Sequence, residues 1–163
     1  TDRLRARLSG TPEELYGWLA ARQSGAFHAV LDVGSHVVVS ASPELLVDWS
    51  GETLLMRPMK GTAARRGTPA DDAAAAEALF PSGSVTGAPK VRTMALIREL
   101  EAGPRGVYCG AIGLLGPPGS GVRARFSVPI RTAVVHRATG EAVYGAGGGI
   151  IWDSDPAAER AEL

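Results

Sequence analysis

The chain contains very little cysteine, since Cys109 is the only one among its 163 residues. A single thiol cannot form an intrachain disulfide, which excludes the disulfide-stabilised frameworks of small secreted proteins. Long apolar runs are absent too, and none approaches the roughly 18 residues that a membrane-spanning helix requires. The first ten residues, TDRLRARLSG, lack the apolar core of a secretory signal. We therefore expect a cytoplasmic location and no membrane partner.

The chain also lacks an excess of either charge. Its 17 Lys and Arg residues balance 17 Asp and Glu residues, so no overall field attracts nucleic acid or an anionic membrane. We expect no nucleic-acid partner, and any bound anion must be held by a local arrangement of groups. Hydrophobic residues make up 45% of the chain, and glycine contributes 21 residues. This composition is typical of a globular domain with a substantial core and several glycine-dependent loops.

Alternation and capping patterns predict an α+β fold. The alternation of apolar residues and arginine in TDRLRARLSG predicts a strand with one solvent face. Thr11 and Pro12 predict the start of a helix that runs to about Gln23. Residues 1–60 as a whole predict an antiparallel meander with this helix packed on it. Further helices are predicted at 68–79, 91–103 and 154–163, and further strands at 106–116, 122–137 and 141–152. The fold class expected is two antiparallel sheets packed face to face, with helices outside.

Lys60 is the first candidate for chemistry. It lies in the stretch RPMKGT, with Arg57, Arg65 and Arg66 nearby in sequence. Like charges disfavour the ammonium form of a lysine and lower its pKa, which makes it a better nucleophile. Glu44, predicted on a neighbouring strand, could supply a proton to a leaving hydroxyl. The alternative is a solvated lysine and a glutamate at a strand edge.

Two glycine-containing segments are candidates for anion binding. GSVTGAPK places Lys90 at a predicted helix start, which suits a carboxylate or phosphate, although the spacing is not that of a P-loop. YGAGGGI contains Gly145, Gly147 and Gly148, which would let the backbone approach a ligand. No helix directly follows it, which argues against a dinucleotide fingerprint. A structural turn and a glycine-rich bulge without a ligand are the respective alternatives.

Glu159 and Glu162 form the fourth candidate. Their spacing of three residues places both carboxylates on one face of the predicted last helix, where they could hold a hard cation such as Mg²⁺. The alternative is a pair of solvated carboxylates.

Taken in order, the motifs of the chain resemble those of the chorismate-utilising enzymes. This family includes anthranilate synthase, isochorismate synthase, salicylate synthase and aminodeoxychorismate synthase component I, also called para-aminobenzoate synthase component I. The resemblance extends over nearly the whole chain and implies one chorismate-binding catalytic domain over residues 1–163. The motifs that carry it are SPELL, RPMKGT, FPSGSVTGAPKVRTM, YCGAIG, IRT, YGAGGGI and DSDPAAERAE.

The lysine implies the aminodeoxychorismate synthase branch, because anthranilate synthase has alanine at the matching position of the Pro-x-x-Gly-Thr turn. Lys60 would attack C2 of chorismate as the 4-hydroxyl leaves, with Glu44 as general acid and base. Ammonia from a glutamine amidotransferase would then add at C4 and expel the lysine. The product would be 4-amino-4-deoxychorismate, for 4-aminobenzoate and folate or a specialised aromatic pathway. An anthranilate synthase-like or isochorismate synthase-like activity is the alternative within this family.

The resemblance also implies roles for the other motif residues. Tyr108 and Arg131 would grip one substrate carboxylate, and Glu159 and Glu162 would lie near Mg²⁺, with Glu162 as the direct ligand. The remaining residues expected to bind substrate are Thr62, Ser84, Thr86, Lys90, Gly145, Gly147 and Gly148.

The sequence departs from the family between Leu79 and Phe80. Family members carry a long stretch there that contains an acidic metal ligand and a histidine near the substrate ring. We expect that residues are missing from this sequence at that point and in the amino-terminal portion. A true deletion would remove central strands and leave unpaired sheet edges. In that case the alternative is a non-catalytic chorismate-binding fragment.

Overall fold

The computed structural model describes residues 1–24, 27–57 and 79–162. It divides into two compact units, one of Thr1–Glu44 with Pro129–Leu163 and one of Leu45–Val128. All strand pairs described are antiparallel, which confirms the α+β class with antiparallel sheets. The strands are β1 (Asp2–Arg7), β2 (Phe27–Asp32), β3 (His36–Ser42), β4 (Leu45–Ser50), β5 (Thr53–Met56), β6 (Ile112–Leu115), β7 (Val122–Ser127), β8 (Thr132–His136) and β9 (Glu141–Ala146). The helices are α1 (Pro12–Arg22), α2 (Gly83–Thr86), α3 (Lys90–Leu100) and α4 (Pro156–Ala161).

The first unit is a five-stranded sheet in the order β1-β9-β8-β3-β2, with α1 packed on it. Helix α1 begins where predicted because Thr11 and Glu14 form a reciprocal capping box at its amino end. Leu19 of this helix packs against Val37, Val39 and Ala41 of β3, and all four residues are buried. Strand β3 and the helix therefore share one apolar core.

The second unit is a four-stranded sheet in the order β5-β4-β7-β6, together with α2 and α3. Position 113 of β6 requires glycine because of the close approach of β7. A Cβ there would lie 2.0 Å from the carbonyl oxygen of Arg125. Helix α3 confirms the helix predicted over 91–103. None of its residues is buried. Its apolar residues Val91 and Leu100 are largely exposed.

The structure corrects the predicted meander. Strand β1 pairs with β9, and β3 and β4 belong to different sheets. The strand predicted over 122–137 is likewise two strands, β7 and β8, in different sheets. Both breaks contain a proline, Pro43 and Pro129, which cannot donate a hydrogen bond to a ladder. The pattern of alternation identified the strands, whereas pairing partners depend on contacts distant in sequence.

Two other expectations have different outcomes. The helix predicted over 68–79 falls almost wholly on residues outside the described ranges. The predicted loop between Phe80 and Lys90 contains the short helix α2, in which the Thr86 hydroxyl donates to the Ser82 carbonyl at 2.9 Å. Within the described ranges, no helix has both the length and the apolar character needed to cross a bilayer.

The core of the first unit generates a test with a matched control. Val39 of β3 is 0% exposed, whereas Val30, directly opposite on β2, is 36% exposed. We expect Val39→Ala to lower the free energy of unfolding by about 2 kcal/mol, because it removes buried methyl groups and leaves a cavity. Val30→Ala should cost less than half as much. Urea unfolding of both variants measures the difference, and equal losses would contradict this placement of the core.

Candidate functional site

The predicted site residues fall into three groups. Lys60 and Thr62 lie outside the described residues, so their positions stay predictions. The first unit carries Glu44, Arg131, Gly145, Gly147, Gly148, Glu159 and Glu162. The second unit carries Ser84, Thr86, Lys90 and Tyr108.

Arg131 precedes β8 at a point where the backbone is firmly held. Its φ of 53° lies in the left-handed region, and its carbonyl accepts a hydrogen bond of 3.1 Å from the N–H of Ala41. The next residue, Thr132, is buried and shares a hydroxyl hydrogen bond of 2.8 Å with Ser40 of β3. The exposed Arg131 guanidinium donates through Nη1 to Oε1 of Gln23. A fixed backbone therefore presents a charged side chain to solvent.

Tyr144 is a tyrosine whose pKa is affected by the charge of Arg131. It lies on β9 opposite Ala133 of β8. Burial raises the pKa of the Tyr144 hydroxyl, and the positive charge of Arg131 opposes that rise in pKa. The tyrosine expected beside Arg131 from sequence was Tyr108, which belongs to the second unit. Tyr144 opens the YGAGGGI motif, so its position in a glycine-rich segment was the signal that could have found it.

Glu44 follows the end of β3 and is buried. Its backbone N–H donates to the Ser42 hydroxyl at 3.1 Å, which fixes the chain where it leaves the strand. The structure therefore shows a buried glutamate on a held stretch of backbone at this point. Its expected partner Lys60 lies outside the described part of the chain, and the pairing of the two remains a prediction.

The glycine-rich segment is only partly a loop. Gly145 belongs to β9, is buried and lies opposite Arg3 of β1. Gly147 and Gly148 follow the strand and are exposed. A Cβ at Gly148 would lie 2.9 Å from Oε2 of Glu159. The absence of a side chain at this position therefore leaves room beside that carboxylate.

Glu159 lies on α4 and Glu162 forms its carboxyl-terminal cap, as the predicted last helix required. The Ser154 hydroxyl donates to Oε1 of Glu159 at 2.5 Å, while Oε2 lies beside the space at Gly148. Two carboxylates with water are a usual ligand set for Mg²⁺, so the donor chemistry fits this ion. No group of three or more potential metal-ligating His, Cys, Asp or Glu side chains occurs among residues 1–24, 27–57 and 79–162.

A cavity of about 570 Å³ lies within the second unit. Thr86 and Tyr108, which were predicted separately to bind substrate, both line it, together with apolar residues that include Phe80, Met94 and Ile97. Ser84 does not line it, and its hydroxyl instead hydrogen-bonds that of Ser82 at 2.7 Å. The structure thus brings two of the four predicted residues of this unit to one cavity.

The polar wall of this cavity is an ion pair that no motif suggested. Arg105 donates through Nε and Nη2 to both carboxylate oxygens of Glu101, at 3.0 and 2.7 Å, and through Nη1 to the Val85 carbonyl at 2.6 Å. The hydrogen bonds that Arg105 donates to Glu101 are the main cause of its raised pKa. Because the two charges cancel, this wall suits an uncharged ring better than a carboxylate. The i,i+4 spacing was the sequence signal.

Lys90 is the first residue of α3 and is half-buried. Burial lowers the pKa of its ammonium group. The preceding turn reverses at Gly87, whose φ is 89°, a conformation that favours glycine. The predicted placement of a lysine at a helix start is therefore confirmed, while its role toward an anion stays a prediction.

The chain belongs to the family of chorismate binding enzymes, whose profile matches residues 1–79 and 73–163. It is 32% identical to anthranilate synthase component 1 of Streptomyces coelicolor over 230 aligned positions, with 98% of this chain and 44% of the relative covered. It is also 32% identical to an aminodeoxychorismate synthase of Streptomyces griseus, with 99% of this chain and 31% of the relative covered. The crystal structure of anthranilate synthase component I from Streptococcus pneumoniae matches with a TM-score of 0.77 and 25% identity, covering 98% of this chain and 49% of that chain.

The chain spans less than half the length of these relatives. The alignment with the S. coelicolor protein runs over 230 positions, whereas the chain has 163 residues. The difference means that at least 67 residues of that relative have no counterpart in this sequence. The two family matches meet and overlap at residues 73–79.

The reactivity of Cys109 tests the cavity. This residue lines the cavity, is 7% exposed, and has its thiol pKa raised by burial, although Arg105 acts in the opposite direction. A raised pKa keeps the thiol protonated, and therefore unreactive, to a higher pH. We expect the alkylation rate with iodoacetamide to reach its midpoint at a higher pH in the folded protein than in urea. Because the chain has one cysteine, no second site interferes, and equal midpoints would contradict the burial.

Proposed function

We propose that the protein acts as an aminodeoxychorismate synthase, which converts chorismate and ammonia to 4-amino-4-deoxychorismate. Membership of the chorismate binding family, with matches on both sides of residues 73–79, is the observation that supports chorismate as substrate. Lys60 in the Pro-x-x-Gly-Thr turn supports the aminodeoxychorismate branch, because it supplies an amine nucleophile.

The proposed reaction has two displacement steps. The Nζ atom of Lys60 forms a bond to C2 of chorismate as the 4-hydroxyl leaves, and Glu44 protonates that hydroxyl so that it departs as water. Ammonia then bonds to C4 and the bond to lysine breaks, with Glu44 accepting a proton. The buried position of Glu44 on a held backbone supports this role, since burial limits the freedom of the side chain.

The residues assigned to substrate binding are those that the family motifs indicate. Arg131 provides a guanidinium for a substrate carboxylate, assisted by the exposed backbone of Gly147 and Gly148, and Gly145 shapes the strand that leads to them. In the second unit, Thr86 and Tyr108 face the cavity, and Lys90 adds positive charge at a helix start. Thr62 and Ser84 complete the proposed set.

A magnesium ion and an amidotransferase are part of the proposal. Glu159 and Glu162 would hold Mg²⁺, which when bound would neutralise charge on a substrate carboxylate. Ammonia would come from a glutamine amidotransferase partner. We also propose that the active protein contains residues between Leu79 and Phe80 that this sequence lacks, since the S. coelicolor relative has at least 67 residues without a counterpart here. An intact mass of the natural polypeptide well above 16.9 kDa would support this, and a mass equal to it would contradict it.

An anthranilate synthase-like reaction is the second candidate. It is favoured by the anthranilate synthase of S. coelicolor, which is as similar to this chain as the aminodeoxychorismate synthase of S. griseus. The two candidates differ in the covalent bond to lysine and in the product released.

The adduct is therefore the decisive test of the proposed function. Incubation with chorismate in the absence of ammonia should raise the intact mass by that of chorismate less one water. The chain has only two lysines, Lys60 and Lys90, so Lys60→Ala should abolish the adduct while Lys90→Arg retains it. Ammonium should release the adduct as 4-amino-4-deoxychorismate. Amine-dependent product from Lys60→Ala without an adduct would favour the anthranilate synthase-like reaction. Mg²⁺-dependent binding without any turnover would indicate a non-catalytic chorismate-binding protein.

The acidic pair gives a separate test. Glu159→Gln and Glu162→Gln should each weaken Mg²⁺ binding at least tenfold, about 1.4 kcal/mol, because each removes a charged ligand. Glu13→Gln, an exposed carboxylate in the first turn of α1, is the control and should change nothing. Titration calorimetry with Mg²⁺ measures the affinities. Unchanged binding in both site variants would rule out this pair as the metal site.

A further inference from the structure

Arg131 differs from other arginines of the structure in its side-chain partner. Four arginines contact a carboxylate: Arg5 with Glu141, Arg105 with Glu101, Arg125 with Asp48 and Arg137 with Asp32. The Arg131 guanidinium instead donates to the amide oxygen of Gln23. Among the residues that the structure describes, no Asp or Glu lies within ion-pair distance of it.

The chemistry of the amide explains why this matters. A carboxylate partner would orient a guanidinium and also cancel its charge, leaving little attraction for a further anion. An amide oxygen accepts the same hydrogen bond but carries no net charge. Arg131 is therefore oriented by Gln23 while its positive charge stays available to a ligand.

Gln23 is itself well placed to orient another side chain. It is the carboxyl-terminal cap of α1 and is half-buried. The helix that carries it is anchored by Leu19 in the core shared with β3, and β3 is the strand that holds the Arg131 carbonyl through Ala41. Both partners of the hydrogen bond are thus attached to the same strand, β3.

We propose that Gln23 is a positioning residue for carboxylate recognition, which holds the Arg131 guanidinium toward its ligand without neutralising it. The inference rests on the proposed function for the identity of that ligand, a carboxylate of chorismate. It adds to that function a residue outside every motif of the chain, from an element 108 residues away in sequence.

Gln23→Glu separates this role from a purely structural one. The substitution keeps the size of the side chain but places a carboxylate against Arg131, so the new ion pair should maintain or raise the melting temperature. It should nevertheless weaken chorismate binding about tenfold or more, because the ligand must compete with a built-in anion. Gln23→Met, which keeps the volume but removes the acceptor, should weaken binding severalfold through lost orientation. Titration calorimetry with chorismate measures both variants.

A second measurement is independent of chorismate. Phenylglyoxal modifies arginine, and an adjacent carboxylate protects the guanidinium. We expect peptide mass spectrometry to show faster modification of Arg131 in the natural protein than in Gln23→Glu. Arg5 and Arg137, which already have carboxylate partners, serve as internal references whose rates should not change.

The outcomes distinguish the inference from the proposed function. If Gln23→Glu binds chorismate as tightly as the natural protein, or if its Arg131 is modified at an unchanged rate, the positioning role is wrong. If the natural protein does not bind chorismate but Arg131 is protected in Gln23→Glu, the proposed substrate is wrong and the positioning role stands.

Discussion

The pairing of β3 with β8 is the interaction on which the candidate site of the first unit depends. These strands are far apart in sequence, and the buried hydroxyl hydrogen bond between Ser40 and Thr132 joins residues separated by 92 positions. Immediately beside it, the Ala41 N–H holds the Arg131 carbonyl. Strand β3 ends at Ser42, two residues before Glu44. One ladder therefore holds the backbone of Arg131, which is expected to bind a carboxylate, close to the end of the strand that leads to Glu44, which is expected to transfer protons.

The second unit supplies a different environment. Its cavity is mainly apolar, and the arginine in its wall is neutralised by Glu101 and also donates a hydrogen bond to the Val85 carbonyl. In the first unit the corresponding arginine is oriented by a neutral group. The same side-chain type thus serves structure in one unit and is left available for binding in the other, and the difference lies in the partner that each fold provides.

Local features of the fold were predictable from the sequence, because they depend on neighbouring residues. The capping box at Thr11 and the cap of α4 at Asp155 each involve residues within a few positions of one another. Pairing was not predictable in the same way, since alternation alone does not say which strands meet. The expected meander failed for this reason, and the prolines at its breaks became informative only once the two sheets were known.

In the candidate site, too, some residues could be identified from the sequence and others only from tertiary contacts. Its motif residues could be identified by resemblance, and Thr86 and Tyr108 indeed face one cavity. Gln23 could not, because it has no motif and its relation to Arg131 arises from tertiary structure. Lys60, the residue on which the proposed chemistry depends most, is placed by sequence alone.

The space beside Gly148 makes the residue at this position in the glycine-rich segment depend on Glu159 of α4. A methyl group there would displace one oxygen of Glu159, whose other oxygen is held by Ser154. A flexible carboxylate can rotate away at little cost in folding free energy. Alanine at this position would therefore be tolerated by the fold, and its main effect would be to change the orientation of the Glu159 carboxylate. Under the proposed metal-binding role of Glu159, natural variation at position 148 should therefore be limited by activity rather than by stability, and changes there should co-vary with those at 154 and 159.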